Sequence, residues 1–149
     1  MSLIGSLEAI AVKGATVAGI KRVYGPSGAG ISSEVRPIPS GIDDGPVGVV
    51  WIGPGSTSGG NAEDVVVDVS LDYWVQADSA GYAYKTIAAL PDLVRAAFRY
   101  DMDLGGQADR CIFMGWDAPQ AEEVNGRYYL VLPCRLDLRL SRYLSDATA

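Results

Sequence analysis

The residue types that most often do chemistry are scarce in this chain, and one is missing altogether. None of its 149 residues is histidine. That removes Ser-His-Asp and Cys-His catalysis, imidazole general-base chemistry and most zinc or copper sites together. Two cysteines, Cys111 and Cys134, are too few to staple a secreted scaffold, so they read as free thiols of an intracellular product. Ser56 and Ser58 have no candidate base beside them and read as linker. Glu122 and Glu123 are adjacent, which on a strand sends them to opposite faces and prevents shared acid/base work.

Two motifs come closer to a function. "GPSGAGIS", Gly25 to Ser32, is one residue away from a phosphate-binding loop, but Ile31 stands where the phosphate-reaching lysine is needed. The next segment, "SEVRPIPSGIDDGP", is broken by prolines and cannot supply the helix N-terminus that cradles a phosphate. A flexible glycine loop is the simpler reading, with a degenerate nucleotide-binding protein as the distant alternative. "DMDLGGQADRCI", Asp101 to Ile112, places Asp at the first, third and ninth positions of a calcium loop and Gly at the sixth. The twelfth position, where a bidentate Glu is required, is Ile112, so the segment reads as a helix-to-strand turn. Asp43-Asp44-Gly45 reads as a turn as well. No catalytic, metal or cofactor site is predicted.

The whole-chain balance narrows the field further. The net charge is −6, the composition is 48% hydrophobic and 20% charged, and the mean hydropathy is +0.13. These values describe one globular domain over residues 1–149, able to bury about 70% of its unfolded surface. A phosphate-gripping face is disfavoured, although an acidic wall suits DNA that must slide past without sticking. Glu8 and Lys13 interrupt the N-terminal apolar residues, so no signal peptide is predicted, and no run approaches a membrane span.

Hydrophobic spacing then places the elements. Leu3, Leu7, Ile10, Ala11 and Gly14 recur at helical intervals, predicting a helix to about Ala18 that its glycines make dependent on docking. Between Gly25 and Gly60, short extended pieces are expected at Glu34 to Ile38 and at Val47 to Ile52, with mobile loops over about 25–48 and 53–61. The second loop, with Gly53, Ser56, Thr57 and Asn61, is a candidate docking loop. "VVVDVSLDYWVQ" alternates strictly: Val65, Val67, Val69, Leu71, Tyr73 and Val75 point one way, with Asp68, Ser70, Asp72 and Trp74 among those opposite. Ala83, Ile87, Leu90, Val94, Ala97 and Phe98 form a helical stripe, in which Pro91 predicts a kink or a fresh helix start. "DLGG", Asp103 to Gly106, ends it.

The last third reads as a long hairpin about Asn125-Gly126. A two-residue turn pairs Val124 with Arg127. Continued outward, the register pairs Gly115 with Leu136, Phe113 with Leu138 and Cys111 with Leu140 on a core face. On the other face Trp116 meets Arg135 as a cation–π pair, Met114 meets Asp137 and Ile112 meets Arg139. Those six residues, Ile112, Met114, Trp116, Arg135, Asp137 and Arg139, are the candidate subunit or partner interface, unless a helix of the same chain covers them. Pro119 and Pro133 should divide the hairpin, leaving a projecting tip from about Gln120 to Leu132. Flat, the strand would run roughly 45 Å, against about 38 Å for a compact domain of this length.

The elements together predict an α+β fold: a mostly antiparallel sheet with a long C-terminal hairpin, flanked on one face by the N-terminal and central helices. In this order, and in "LPDLVRAAFRYDMDLGG" followed by "GRYYLVLPCRLDLRL" after "VVVDVSLDYWVQ", the chain resembles the tail terminator (tail completion) proteins of long-tailed bacteriophages. The resemblance implies a non-enzymatic virion protein, assembled in the host cytoplasm as a ring, expected to be a hexamer, that caps the tail tube. Its implied partners are its own copies, the tail tube protein and a neck or head-completion protein, with DNA passing through the channel. A head–tail connector or neck protein of the same region would show the same features.

Overall fold

The computed structural model describes residues 2–27, 37–43, 45–57, 64–77 and 81–141. Helix α1 (Leu3–Gly14) opens on Ser2, whose hydroxyl accepts from the Gly5 N–H at 3.1 Å. It stops at Gly14 rather than near Ala18, and Gly14 is a point of close contact with the sheet. A Cβ there would lie 3.0 Å from Leu71 Cδ2, and the Tyr73 hydroxyl donates to the Gly14 carbonyl at 3.0 Å. The glycine that weakens the helix locally is what lets it dock.

Strands β1 (Arg22–Tyr24), β2 (Val47–Thr57) and β3 (Val65–Gln76) precede helix α2 (Tyr82–Arg99). A short 3-10 turn (Leu104–Gly106) leads to β4 (Arg110–Trp116), β5 (Gln120–Val124) and β6 (Arg127–Leu140). The sheet order is β1-β2-β3-β6-β4, with β5 beside β6 on the same side as β4. Among the described strands only β1 and β2 pair in parallel. This is the α+β, mostly antiparallel sheet expected, and both helices lie on one face of it. Of the extended piece expected at Glu34 to Ile38, residues 34–36 lie outside the described residues.

That face is the main core. Val65, Val67, Val69, Leu71, Tyr73 and Val75 of β3 stand with Leu132, Cys134, Leu136, Leu138 and Leu140 of β6, and the apolar stripes of α1 and α2 close over them. Helix α2 is one element through Pro91, with no second start: Ile87 and Leu90 before the proline and Val94 and Phe98 after it are buried on the same cluster. Packing on both sides offsets the backbone bond that proline forfeits. None of the described helices is long and apolar enough to cross a membrane.

The structure corrects three further expectations. Gly53, Ser56 and Thr57 belong to β2, which continues against β3 to Thr57 past a bulge between Ile52 and Gly55. They are exposed, but they are strand and not loop; Asn61 lies outside the described residues. Second, the hairpin tip does not project. Strand β6 pairs with β3 from Leu140↔Val65 to Tyr129↔Gln76, and Tyr129, Val131 and Leu132 are buried. The long ribbon has a neighbour almost as long in its own chain.

The third correction concerns register. The turn pairs Val124 with Arg127 as expected, and the pairing breaks at Asp117 to Pro119, opposite Pro133. Beyond the break it has slipped by one, to Gly115↔Arg135 and Trp116↔Cys134. A bulge at Met114 slips it again, giving Phe113↔Leu136, Ile112↔Asp137, Cys111↔Leu138 and Arg110↔Arg139. Two single slips return Ile112 and Phe113 to their expected faces. Trp116, after one slip only, changes sides.

Candidate functional site

The sheet's second face is half sealed and half open. At the hairpin end, Ile42 packs with Val47, Val49, Trp74, Tyr129 and Val131, and Ile38 joins them. Asp43 ties this cover down: its carboxylate accepts from the Tyr129 hydroxyl and lies 3.4 Å from the Arg127 guanidinium. At the other end no described helix covers the sheet.

Four strands build the open half. Arg135, Asp137 and Arg139 alternate along β6, with Asp68 and Ser70 beside them on β3 and Ile112 and Met114 on β4. Gly53 and Pro54 of β2 form the far wall of a shallow cleft of about 490 Å³. Met114 is 57% exposed and Ile112 half-buried. The Arg135 guanidinium meets Asp117 at 3.3 Å, and Arg139 meets Asp137 at 3.4 Å. Ion pairs this exposed are worth about 0–1 kcal/mol, so the arginines remain available to a partner. The Ser70 hydroxyl donates to the carboxylate of Asp72, which is buried at the boundary between the two halves.

Five of the six candidate interface residues therefore share this face: Ile112, Met114, Arg135, Asp137 and Arg139. Trp116 does not. It lies on the helix side of the edge, where its ring stacks on Phe113 with centroids 6.4 Å apart, and Arg135 reaches Asp117 instead of an indole. Gly53 of the expected docking loop lines the cleft, whereas Ser56 and Thr57 lie further along β2. Asp68, Pro54 and Asp117 are additions. The polar side of "VVVDVSLDYWVQ" already held Asp68, but nothing local in the sequence says that β3 and β6 are neighbours.

The described parts of the motifs that resembled binding loops spend polar groups internally. The Ser27 N–H donates to the Glu8 carboxylate, setting a negative charge where a phosphate loop would need to attract one; Gly28 to Ser32 lie outside the described residues. Asp101 and Asp103 both accept from the Gly105 N–H, at 3.0 and 3.2 Å, and Lys13 sits 3.1 Å from Asp101. The Gly105 N–H and then Lys13 hold the Asp101 carboxyl below the usual carboxylate range. Among the described residues, no three potential ligands cluster as a metal site would require. Burial pushes the Cys111 and Cys134 thiols up to about 12, so both are uncharged, weak nucleophiles at neutral pH. No protein-family model matches the chain, and no curated protein sequence matches it.

Proposed function

We propose that the protein is a non-enzymatic virion component of a long-tailed phage, a tail terminator that forms a ring on the end of the tail tube, stops tube polymerisation and joins the tail to the head. The observation that carries this reading is the open half of the sheet. Both described helices are committed to the opposite face, and what stays accessible is exposed Met114 beside half-buried Ile112 among arginines and aspartates. Met and Arg are enriched at protein interfaces. The element order and the acidic balance support the same reading, since a wall of net charge −6 per copy does not hold passing DNA.

In the phage that encodes it, removing the protein should leave tails of uncontrolled length that fail to join heads, counted by electron microscopy. Tails of normal length that still join heads would falsify the proposal. A connector of the neck shares most of these supports, and co-assembly separates the two: a terminator binds the end of the tube, a connector the portal side.

A further inference from the structure

The helix side of the β4 edge carries a second surface, which shares Ile112 with the open face. Arg95 and Arg99, one turn apart near the end of α2, line a cleft of about 280 Å³ with Met102 and Phe113. Trp116, 50% exposed, stacks on Phe113 at its rim. Among the described residues neither arginine forms an ion pair, although Asp92 stands one turn before Arg95. In a chain of net charge −6 this is a local reversal of sign beside exposed aromatic surface.

The complementary surface lies on the same edge. Glu123 of β5 is exposed and pairs with Tyr128, which is 60% exposed, so a carboxylate and a phenol stand side by side on the helix side of the hairpin tip. Tip and cleft cannot meet within one chain. Phe113 is level with Leu136 and Glu123 with Tyr128, eight positions along β6, or about 27 Å of strand.

We infer that the occupant of the α2–β4 cleft is the hairpin tip of a second copy of this chain, Glu123 against Arg95 and Arg99, with Tyr128 on the Phe113–Trp116 pair. The charges are complementary, and the aromatic surface supplies the apolar centre that an ion pair alone lacks. Side chains make the contact, because the bulge at Met114 spoils β4 as a template for strand addition. Tip and cleft are different surfaces, so each copy offers one of each, the head-to-tail arrangement that a ring requires. The contact rests on the ring reading only for the number of copies.

Charge exchange on the full-length chain tests it. Sedimentation should show concentration-dependent self-association of the wild type. Either Glu123→Arg or the pair Arg95→Glu and Arg99→Glu should weaken it by about tenfold or more, while a mixture of the two variants should regain it. All three sites are exposed, and unchanged urea midpoints would show that the variants still fold. A monomeric wild type, variants that associate unchanged, or a mixture that fails to recover would each overturn the contact. So would single-stranded DNA that needs Arg95 and Arg99 while no self-association occurs. Association that obeys the charge exchange but stops at two copies keeps the contact and removes the ring.

Discussion

Cys111 and Cys134 illustrate how much a residue's meaning depends on its surroundings. From the sequence they are two thiols; in the fold each sits under the helices, where burial, more than the nearby carboxylates, resists the thiolate. The sign of the pH effect is then fixed. In the unfolded chain a thiol ionises near 9, whereas the folded one holds its proton to about 12. The stability these groups support is complete below about pH 9 and erodes as pH rises toward the folded value, since the unfolded state then binds fewer protons. Urea midpoints should therefore fall between neutral pH and pH about 10.5, and replacing both cysteines by alanine should flatten the fall. An equal fall in the variant would place the alkaline sensitivity elsewhere. Tyr73 works in the same direction, its phenol raised by burial beneath α1.

At the scale of elements, alternation and helical stripes were legible because their periods repeat many times. Strand β3, helix α2 and the Asn125-Gly126 turn were readable for that reason. Strand β1 was not, since three residues cannot display a period, and its parallel partner lies more than twenty residues away. Nor were the bulges, which are disagreements between two strands and are written in neither alone. Gly53 tests the distinction. As part of a loop it would accept any side chain; in β2 an added Cβ would lie 2.7 Å from the Asp68 carbonyl oxygen, a backbone atom that cannot swing away. Gly53→Ala should cost about 1–3 kcal/mol in urea unfolding. A neutral result would mean that the strand ends before the bulge.

Across the whole molecule, the described residues leave half of one sheet face uncovered and block the sheet's edges against strand addition. Strand β2 carries Pro54 and a bulge where β1 no longer covers it, β4 carries a bulge with Gly115 at φ 124°, and β5 presents Glu122 and Glu123. Each is a recognised block to strand addition. The open half, by contrast, is undefended, and changing it should separate folding from assembly. Arg135→Asp replaces an exposed guanidinium that, among the described residues, pairs with Asp117, so unfolding free energy should stay within about 0.5 kcal/mol. Under the proposed function, tail capping should nevertheless be lost when that variant replaces the wild type in the encoding phage. Capping at wild-type efficiency would exclude the open face as the contact with tube or neighbour.

The sequence by itself determined which residues are apolar on which side of each long element, where the chain turns, and that no histidine chemistry is available. Those are properties of near neighbours, set by backbone geometry within a few residues. Only the tertiary structure decided that β3 pairs with β6 from Leu140 to Tyr129 and keeps most of the hairpin tip from projecting. It also decided that two slips keep Ile112 on the open face while one moves Trp116 to the other. Such outcomes depend on which distant strand supplies a hydrogen-bonding partner, and a side-chain period of two turns a single extra residue into a change of face.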